Sequence, residues 1–374
     1  MEKISRSLFL EVGGGAAITT MVPKALLADT RGKILPLVIF FQGGAQSPYE
    51  FVSPLVDSCR ELRGEVTTMT GKNGEQVDDR WKRFAKLSDK TAVIRSLDAR
   101  NTSHDARYVM GQPAIYAETL ASGGLPHPFI EEPSTFSDRS QLDAKLGMHI
   151  TWDATEKQFK APELKIEPGL SEKIKLLNKL EHPMDGRKVE RMEQNRELAA
   201  NLLLGGGKAV TEPFVNAVKD HERYGNHPIG DACALASNFA QSGAGVTLVY
   251  NEFESGWDMH SDLKKRSDIL IPPTDQALGE LILDARRHGF VLLMTTEHGR
   301  WPTINGNGGR EHHNVSYAVL AGGSTHGGAV IGSINQTGNI ASDVVDGKRL
   351  MKTVLQACGV EQPNRADLIV GAVN

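Results

Sequence analysis

The stretch "GFVLLMTTEHGR", residues 289–300, joins an apolar run to a carboxylate and an imidazole. A continuous apolar run, without polar alternation, is typical of a strand that is buried on both faces of a parallel sheet. Glu297 and His298 follow that run directly. In open α/β sheets, ligands bind beyond the carboxyl ends of the strands. The stretch therefore predicts a central buried strand and a functional site at its end.

Other apolar runs of the same kind occur along the chain, and amphipathic helical patterns lie between or after them. The runs are "LPLVIFF" (35–41), "TAVIRS" (91–96), "GVTLVY" (245–250) and "YAVLAGG" (317–323), and the helical patterns cover 229–243, 274–289 and 346–360. Alternation of strands and helices indicates a doubly wound α/β sheet. We therefore expect an α/β fold with a mainly parallel sheet.

The composition is that of an ordinary globular protein with 374 residues, of which 40% are hydrophobic. The formal net charge is −4. This value gives no electrostatic footprint for nucleic acid or for an anionic membrane, so we expect neither as a partner. Three cysteines, Cys59, Cys233 and Cys358, lie far apart without a CxxC pattern. We expect them to be buried thiols and not a disulfide framework.

Residues 1–28 have the pattern of an export signal. Lys3 and Arg6 precede a short Gly/Ala-rich apolar run that ends in "ALLA" before Asp29. The run is too short for a membrane span, so we expect a periplasmic or secreted bacterial protein without an integral membrane segment in its mature chain. "SRSLFL" resembles a twin-arginine signal in which Ser7 replaces the second arginine, which leaves the export route open. An ordinary first helix is the alternative.

The remaining residues, 29–374, are expected to form one domain. A stretch of about 120–215 is rich in Pro, Lys and Glu. It predicts an insertion of helices and loops that is attached to the core and covers its active face.

Three polar segments carry residues that bind transition metals or move protons: "GWDMH" (256–260), "TTEHGR" (295–300) and "GGREHH" (308–313). The first two follow apolar runs, and the third precedes one. In an extended segment residues i and i+2 point the same way, so Asp258 and His260 could bind one ion together. A mixed nitrogen and oxygen ligand set suits Zn²⁺, Mn²⁺ or Fe better than Ca²⁺ or Mg²⁺. The candidate metal ligands are Asp258, His260, Glu297, His298, His312 and His313.

Each segment also has a purely structural interpretation. Glu297 and His298 could cap a helix or pair with Arg300, and His312 and His313 could be an exposed loop pair. Arg107, Arg300 and Arg310 lie in or near polar segments. A guanidinium is a natural clamp for phosphate or sulfate, although structural ion pairs are the alternative. The sequence has no GxSxG elbow, no P-loop and no GxGxxG after a strand.

The segments "GWDMH" and "EHGRWPTINGNGGREHHNVSYAVLAGGSTHGGAVIG" resemble the bacterial family called domain of unknown function 1501. That family typically shows Gly-Trp-Asp-Thr-His, then Glu-Phe-Gly-Arg-Thr-Pro, Gly-Arg-Asp-His-Trp and a Gly-rich run. "FAKLSDKTAVIRSL" and "RYGNHPIGDACALASNFAQSGAGVTLV" also look like its middle segments. The resemblance covers most of the chain from about residue 36.

The resemblance implies an alkaline phosphatase-like three-layer α/β/α sandwich, the superfamily of sulfatases and metal-dependent phosphoglycerate mutases. It also implies metal-assisted attack on a phosphate or sulfate ester. By position, Asp258 and His260 resemble one metal-binding pair, Glu297 and His298 a second, and His312 or His313 the last ligand. The chain departs from that pattern where Gln42-Gly43-Gly44 replaces an Asp after the first strand. The nucleophile candidates are Thr102 and Ser103, with His104 as an acid/base partner, although no convincing nucleophile motif surrounds them.

Three functional hypotheses follow. The first is an exported metal-dependent hydrolase of sulfate or phosphate esters, with a small molecule or a glycan as substrate and with Arg300 and Arg310 binding the anion. The second is a catalytically inactive periplasmic binding or scaffold protein of the same fold. The third is a phosphoryl transferase. Convergence of the ring nitrogens of His260, His298 and His312 would favour an enzyme, and their scatter would exclude the metal site.

Overall fold

The five predicted apolar runs all become strands of one sheet. The computed structural model describes residues 34–54, 66–106, 109, 116–117, 119–120, 127–131, 148–160, 208–253 and 256–373. The predicted export signal at 1–28 lies outside these residues and stays a prediction. Cys233 and Cys358 are buried free thiols, as expected, and Cys59 lies outside the described residues.

The described strands and helices follow one another in chain order. The strands are β1 (Leu37–Phe41), β2 (Thr68–Thr70), β3 (Gln76–Asp78), β4 (Thr91–Asp98), β5 (Pro128–Glu131), β6 (Met148–Asp153), β7 (Gln158–Phe159), β8 (Val246–Tyr250), β9 (Val291–Thr295), β10 (Gly299–Arg300), β11 (His312–His313), β12 (Val315–Gly322), β13 (Val330–Ile331), β14 (Ser333–Ile334), β15 (Ile340–Ser342) and β16 (Val345–Asp346). The helices are α1 (Lys82–Leu87), α2 (Lys208–Tyr224), α3 (Pro228–Gln241), α4 (Leu263–His288) and α5 (Gly347–Ala357), with 3₁₀ turns at Pro48–Glu50, Ser88–Lys90 and Arg365–Asp367.

The main sheet has the strand order β13-β4-β12-β9-β1-β8-β5-β6-β7, and β16 also pairs with β4. Most pairs are parallel, including β1 with both β8 and β9. Strand β12 is different, because it runs antiparallel to both β4 and β9. Its sequence led us to expect a parallel strand, and that expectation was wrong. All eight residues of β12 are buried, and burial on both faces gives a continuous apolar run whatever the strand direction.

Helices cover both faces of the sheet. On β1, Val38 and Phe40 pack in the hydrophobic cluster that contains α3 and α4 residues. Leu37, Ile39 and Phe41 point the other way, into a cluster that contains α5 residues. The predicted three-layer α/β/α sandwich with a mainly parallel sheet is therefore confirmed.

Helix α4 begins at Leu263, well before the start near Thr274 that the periodicity predicts. The helix continues through Pro272 and Pro273. Leu270 and Ile271 before the prolines are as buried as the apolar residues after them, so packing on both sides holds the segment in one helix. It ends at His288, and the following Gly289 has a φ of +73°, which suits glycine, and an N–H that bonds back to the Ala285 carbonyl.

The described parts of the segment 120–215 include strands that we did not predict. Strand β5 pairs with β8, and β6 pairs with β5, so both extend the main sheet. Residues 161–207 lie outside the described part, and the extent of the insertion stays a prediction. Among the described helices, none has the length and apolar character needed to cross a membrane.

Candidate metal centre

The sheet brings the predicted polar segments to a single edge. Segments 256–260 and 295–300 follow the carboxyl ends of β8 and β9, whereas 308–313 precedes β12. Because β12 is antiparallel, its first residues lie beside the last residues of its neighbours. Val315 pairs with Asp98 at the end of β4, and Ala318 pairs with Thr295 at the end of β9. The reversed strand thus places His312 at the edge where the other segments end.

Four histidine rings form a cluster at this edge. The ring centroid of His312 lies 4.3 Å from that of His298, 4.8 Å from that of His260 and 4.9 Å from that of His104. The rings of His104 and His298 are 5.2 Å apart. The structure therefore brings together the three histidines whose convergence the metal hypothesis requires, and it adds His104.

In every one of these rings the Nδ1 atom faces an oxygen acceptor. A histidine that ligates a metal typically donates its other ring N–H to a carboxylate or carbonyl, which fixes the ring and its tautomer. The same arrangement here leaves each Nε2 available to a ligand. The Nδ1 contacts are His104 to Glu297 Oε1 at 2.8 Å, His298 to the Gly299 carbonyl at 2.9 Å, His312 to the Thr102 carbonyl at 2.7 Å and His260 to Glu311 Oε2 at 2.9 Å.

The Nε2 atoms of His260 and His312 are close enough to share a cation. His260 Nε2 and His312 Nε2 are 3.0 Å apart. With their protons on Nδ1, two lone pairs face each other, and a proton or a metal ion between them removes the repulsion. His298 Nε2 is buried and has no hydrogen-bond partner in the described part of the chain. Burial lowers the pKa of His298 to about 4, so the ring is neutral and its lone pair is free at neutral pH.

Asp258 supplies a carboxylate to the cluster. Its Oδ1 lies 3.1 Å from His260 Nε2 and 3.3 Å from His312 Nε2, and its Oδ2 lies 3.7 Å from His104 Nε2. Burial raises the pKa of Asp258, but the neighbouring His312 ring and Arg300 guanidinium together outweigh burial and hold the pKa well below its usual range. Among the described residues, two sets have ligand atoms within 4.8 Å of one another: His104, His298 and His312, and Asp258, His260 and His312.

The sequence profile of the family described as "Protein of unknown function (DUF1501)" matches residues 151–365, more than half of the chain. This chain belongs to that family. The resemblance read from the motifs is therefore confirmed. A comparison with curated proteins found no match for this DUF1501 protein.

Two solved structures give distant likenesses. One is alkaline phosphatase from the Antarctic bacterium TAB5, with 10% identity and a TM-score of 0.34 over 89% of this chain and 100% of that chain. The other is Ps i-CgsB in complex with k-i-k-neocarrahexaose, with 8% identity and a TM-score of 0.31 over 90% of this chain and 74% of that chain. At TM-scores this low, neither likeness supports a conclusion about the DUF1501 protein.

Glu297 does not join either set of ligand atoms, although the sequence predicted it as a metal ligand. Its Oε1 accepts hydrogen bonds from the Gly44 N–H and His104 Nδ1, both at 2.8 Å. Its Oε2 accepts from Thr296 Oγ1 at 2.9 Å. Burial raises the pKa of Glu297, but the hydrogen bond from His104 and the other polar contacts of the carboxylate together outweigh burial and lower the pKa. The same hydrogen bond raises the pKa of His104. Glu297 therefore orients His104, because its oxygens are already occupied.

His313 also lies outside the cluster. It neighbours His312 on β11 and pairs across to Gly299, so its ring points to the other side. That ring lies 4.0 Å, centroid to centroid, from the ring of Trp301. Burial lowers the pKa of His313. The prediction of His313 as a ligand is not supported, since adjacent residues of a strand face opposite sides.

The two arginines predicted to bind an anion are both buried and occupied. Arg300 donates to the carbonyls of Gly44, Ala45 and Arg310 and forms an ion pair with Asp258. Arg310 pairs with Glu50, with Nη2 and Oε1 2.7 Å apart, and Nη1 also donates to the carbonyls of Trp301 and Pro302. These contacts do not support a substrate-binding role for either guanidinium. Arg107 lies outside the described residues.

The predicted nucleophiles are not placed for attack. Ser103 Oγ is exposed and accepts a hydrogen bond from Asn101 Nδ2 at 2.6 Å. Thr102 is exposed and contributes its backbone carbonyl to His312. Neither hydroxyl contacts a base in the described part of the chain, and a hydroxyl nucleophile needs one. His104, predicted as their acid/base partner, belongs instead to the histidine cluster.

Residues 42–44 fill the position of the Asp that the resemblance leads us to expect after the first strand. The Gln42 side chain accepts from Asn251 Nδ2 at 2.7 Å. Gly44 has φ +93°, and a Cβ there would lie 2.5 Å from the Asp258 backbone nitrogen. A side chain at residue 44 would therefore collide with the Asp258 backbone.

Two contributors were missed from the sequence. Glu311 contacts His260 Nδ1, and Asn305 Nδ2 donates to Glu311 Oε1 at 2.6 Å. Glu311 lies inside "GGREHH", between two residues that we singled out, so an acid beside a candidate ligand was the available signal. Asn305 carries no such signal in the sequence.

Proposed function

We propose that this DUF1501 protein is a metal-dependent hydrolase of phosphate or sulfate esters that uses the histidine cluster as its metal centre. The observation that carries the proposal is the shared orientation of four imidazoles. Each Nδ1 faces an oxygen acceptor, and each Nε2 is left for a ligand. This shared orientation is the one expected of histidines that ligate a metal through Nε2.

The donor set suits a transition metal. Three histidines hold catalytic zinc in some enzymes, and two histidines with one carboxylate hold non-haem iron in others. Both sets occur here, and His312 belongs to each. One Nε2 lone pair binds one ion, so the shared residue supports a single ion and not two.

The charge of the cluster also favours a divalent cation. Asp258, Glu297 and Glu311 bring three carboxylates, and Arg300 brings one guanidinium in contact with Asp258. With neutral histidines the metal-free cluster is therefore anionic and would repel a phosphate or sulfate ester. A divalent ion would balance that charge and remove the repulsion, and the ion itself would then contact the ester oxygen that Arg300 and Arg310 are not free to bind.

A divalent ion held by these residues would polarise an ester oxygen or lower the pKa of a water molecule. Water is the attacking group in this proposal, because Ser103 and Thr102 lack a base among the described residues.

One observation favours the second hypothesis, a catalytically inactive binding protein of the same fold. The chain has Gln42-Gly43-Gly44 where the resemblance implies a metal-binding Asp, and the Gly44 N–H donates to Glu297 instead. An alkaline phosphatase-like two-metal reaction is therefore not the mechanism that we propose.

Export to the periplasm or beyond is part of the proposal and rests on the composition of residues 1–28. A glycan ester is one candidate substrate.

The decisive experiment uses two neighbouring histidines as test and control. The mature chain without a polyhistidine tag would be purified without chelators, loaded with Zn²⁺, Mn²⁺ or Fe²⁺, and measured by elemental mass spectrometry. His312→Ala removes the shared ligand, and His313→Ala removes the adjacent buried ring that faces away. We expect about one equivalent in the wild type and in His313→Ala, and loss in His312→Ala.

Turnover of aryl phosphate and aryl sulfate esters by the loaded protein would then separate the two hypotheses. Hydrolysis that follows metal content supports the hydrolase. Metal binding without turnover of either ester class favours the binding protein. Equal metal loss in both histidine variants would overturn the metal centre itself.

A further inference from the structure

We propose that Glu311 is a positioning residue that selects the metal-binding tautomer of His260, and that Asn305 fixes the orientation of Glu311. The effect on metal affinity rests on the proposed metal centre. The effect on the tautomer does not, because it follows from hydrogen bonds that exist without an ion.

The contacts form a short chain of hydrogen bonds. His260 Nδ1 lies 2.9 Å from Glu311 Oε2. The other carboxylate oxygen, Oε1, accepts from Asn305 Nδ2 at 2.6 Å. Asn305 Nδ2 also donates to the His260 carbonyl at 2.9 Å. The same amide thus holds the backbone of the metal ligand and the acid that contacts its ring.

Asn305 is itself fixed by its loop. Its Oδ1 accepts from the backbone N–H groups of Asn307 and Gly309, each at 2.9 Å. Because the Oδ1 atom is occupied by two donors, the NH₂ group must face Glu311 and His260. Gly309 packs directly against the His260 backbone, and a Cβ there would lie 2.1 Å from the His260 carbonyl carbon.

These contacts determine where the imidazole proton lies. A carboxylate has only acceptor atoms, so His260 must donate Nδ1–H to Glu311. Its Nε2 then keeps a lone pair that faces Asp258, His312 and Arg300. Without Glu311, the ring could instead protonate Nε2 and donate from it to the Asp258 carboxylate. That tautomer cannot ligate a metal through Nε2.

Glu311→Gln makes a sharp test because Asn305 dictates how the new amide must lie. The Asn305 NH₂ group requires an oxygen opposite it, so the glutamine would turn its oxygen to Asn305 and its NH₂ to His260 Nδ1. Nδ1 would become an acceptor, and the proton would move to Nε2. Glu311→Ala leaves no preference at Nδ1 and should have the smaller effect. Glu361→Gln removes an exposed glutamate elsewhere and serves as the control.

Two measurements separate this inference from the proposed function. The ring nitrogen resonances of His260 in metal-free protein, labelled with ¹⁵N-histidine, report the tautomer. Zinc affinity, from competition with a chromophoric chelator, reports the consequence. We expect an Nδ1–H tautomer in the wild type and in Glu361→Gln, and an Nε2–H tautomer in Glu311→Gln. We expect zinc affinity to fall by about 10–100-fold in Glu311→Gln and by less in Glu311→Ala.

An Nδ1–H tautomer that persists in Glu311→Gln would overturn the inference, as would an affinity loss in Glu311→Ala that equals or exceeds that of Glu311→Gln. If the wild type binds no zinc but the tautomers change as expected, the inference stands and the proposed function fails. If zinc binds normally to the wild type but the tautomer does not change in Glu311→Gln, the proposed metal centre stands and this inference fails.

Discussion

The ion pair between Glu50 and Arg310 allows a test of whether Arg310 has a structural role or binds substrate. Both side chains are buried, with Arg310 Nη2 2.7 Å from Glu50 Oε1 and Nε 3.1 Å from the same oxygen. Arg310 also donates to the carbonyls of Trp301 and Pro302. Glu50→Gln would leave the guanidinium buried without its counter-ion.

The expected cost follows from that burial. Breaking a buried ion pair by removing one partner costs about 3–5 kcal/mol, because the remaining charge is not compensated. We therefore expect Glu50→Gln and Arg310→Met each to lower the free energy of unfolding by about 3 kcal/mol or more. In the double variant both charges are gone, and we expect about 1–3 kcal/mol less destabilisation than the two single effects predict together.

Urea unfolding monitored by tryptophan fluorescence would measure these free energies. Arg100→Met is a matched control, because Arg100 pairs with Asp346 at 2.9 Å on the surface and exposed pairs are worth about 0–1 kcal/mol. Single variants that unfold like the wild type would refute the structural role of Arg310. An Arg310→Met variant with wild-type stability and a raised KM would instead restore the substrate-binding role.

Three further predictions concern other described residues. Gly44→Ala should lower both stability and metal affinity, since its positive φ costs about 1–3 kcal/mol for a side chain and its Cβ would strike the Asp258 backbone; unfolding and zinc titrations check this, and wild-type values would contradict it. Ser103→Ala and Thr102→Ala should each change kcat by less than about tenfold, and a much larger loss would reinstate a covalent nucleophile. Burial raises the pKa of Asp275 to about 6 from 3.8, so the folded state favours its protonated form. Stability from this group is present below the unfolded pKa and lost as the pH rises through 6. The unfolding free energy of the wild type should therefore fall by about 2 kcal/mol relative to Asp275→Asn between pH 4 and 7, and parallel pH profiles would exclude this.

Five strands of the main sheet and the location of the site were predictable because each depends on local sequence. Apolar runs marked β1, β4, β8, β9 and β12, and polar segments at their ends marked the edge where His260, His298 and His312 meet. The direction of β12 was not predictable, since burial on both faces produces the same run in either direction.

Other features depend on contacts between residues that are distant in the chain. Arg310 and Glu50 are 260 residues apart, and no local pattern shows that one neutralises the other. Glu297 and His298 are adjacent and both were predicted as ligands, yet of the two only His298 has a ligand atom without a hydrogen-bond partner among the described residues. That difference arises from Gly44, His104 and Thr296, which occupy the oxygens of Glu297.

The central claim is that a single divalent ion binds among the Nε2 atoms of the histidine cluster. Anomalous diffraction from zinc-loaded crystals, collected on both sides of the zinc absorption edge, tests it most directly. We predict one peak in the cluster, at about 2.0–2.1 Å from His312 Nε2 and bonded to further ligands from His104, His298, His260 and Asp258. Two peaks in the cluster, or zinc bound only elsewhere on the chain, would contradict the claim.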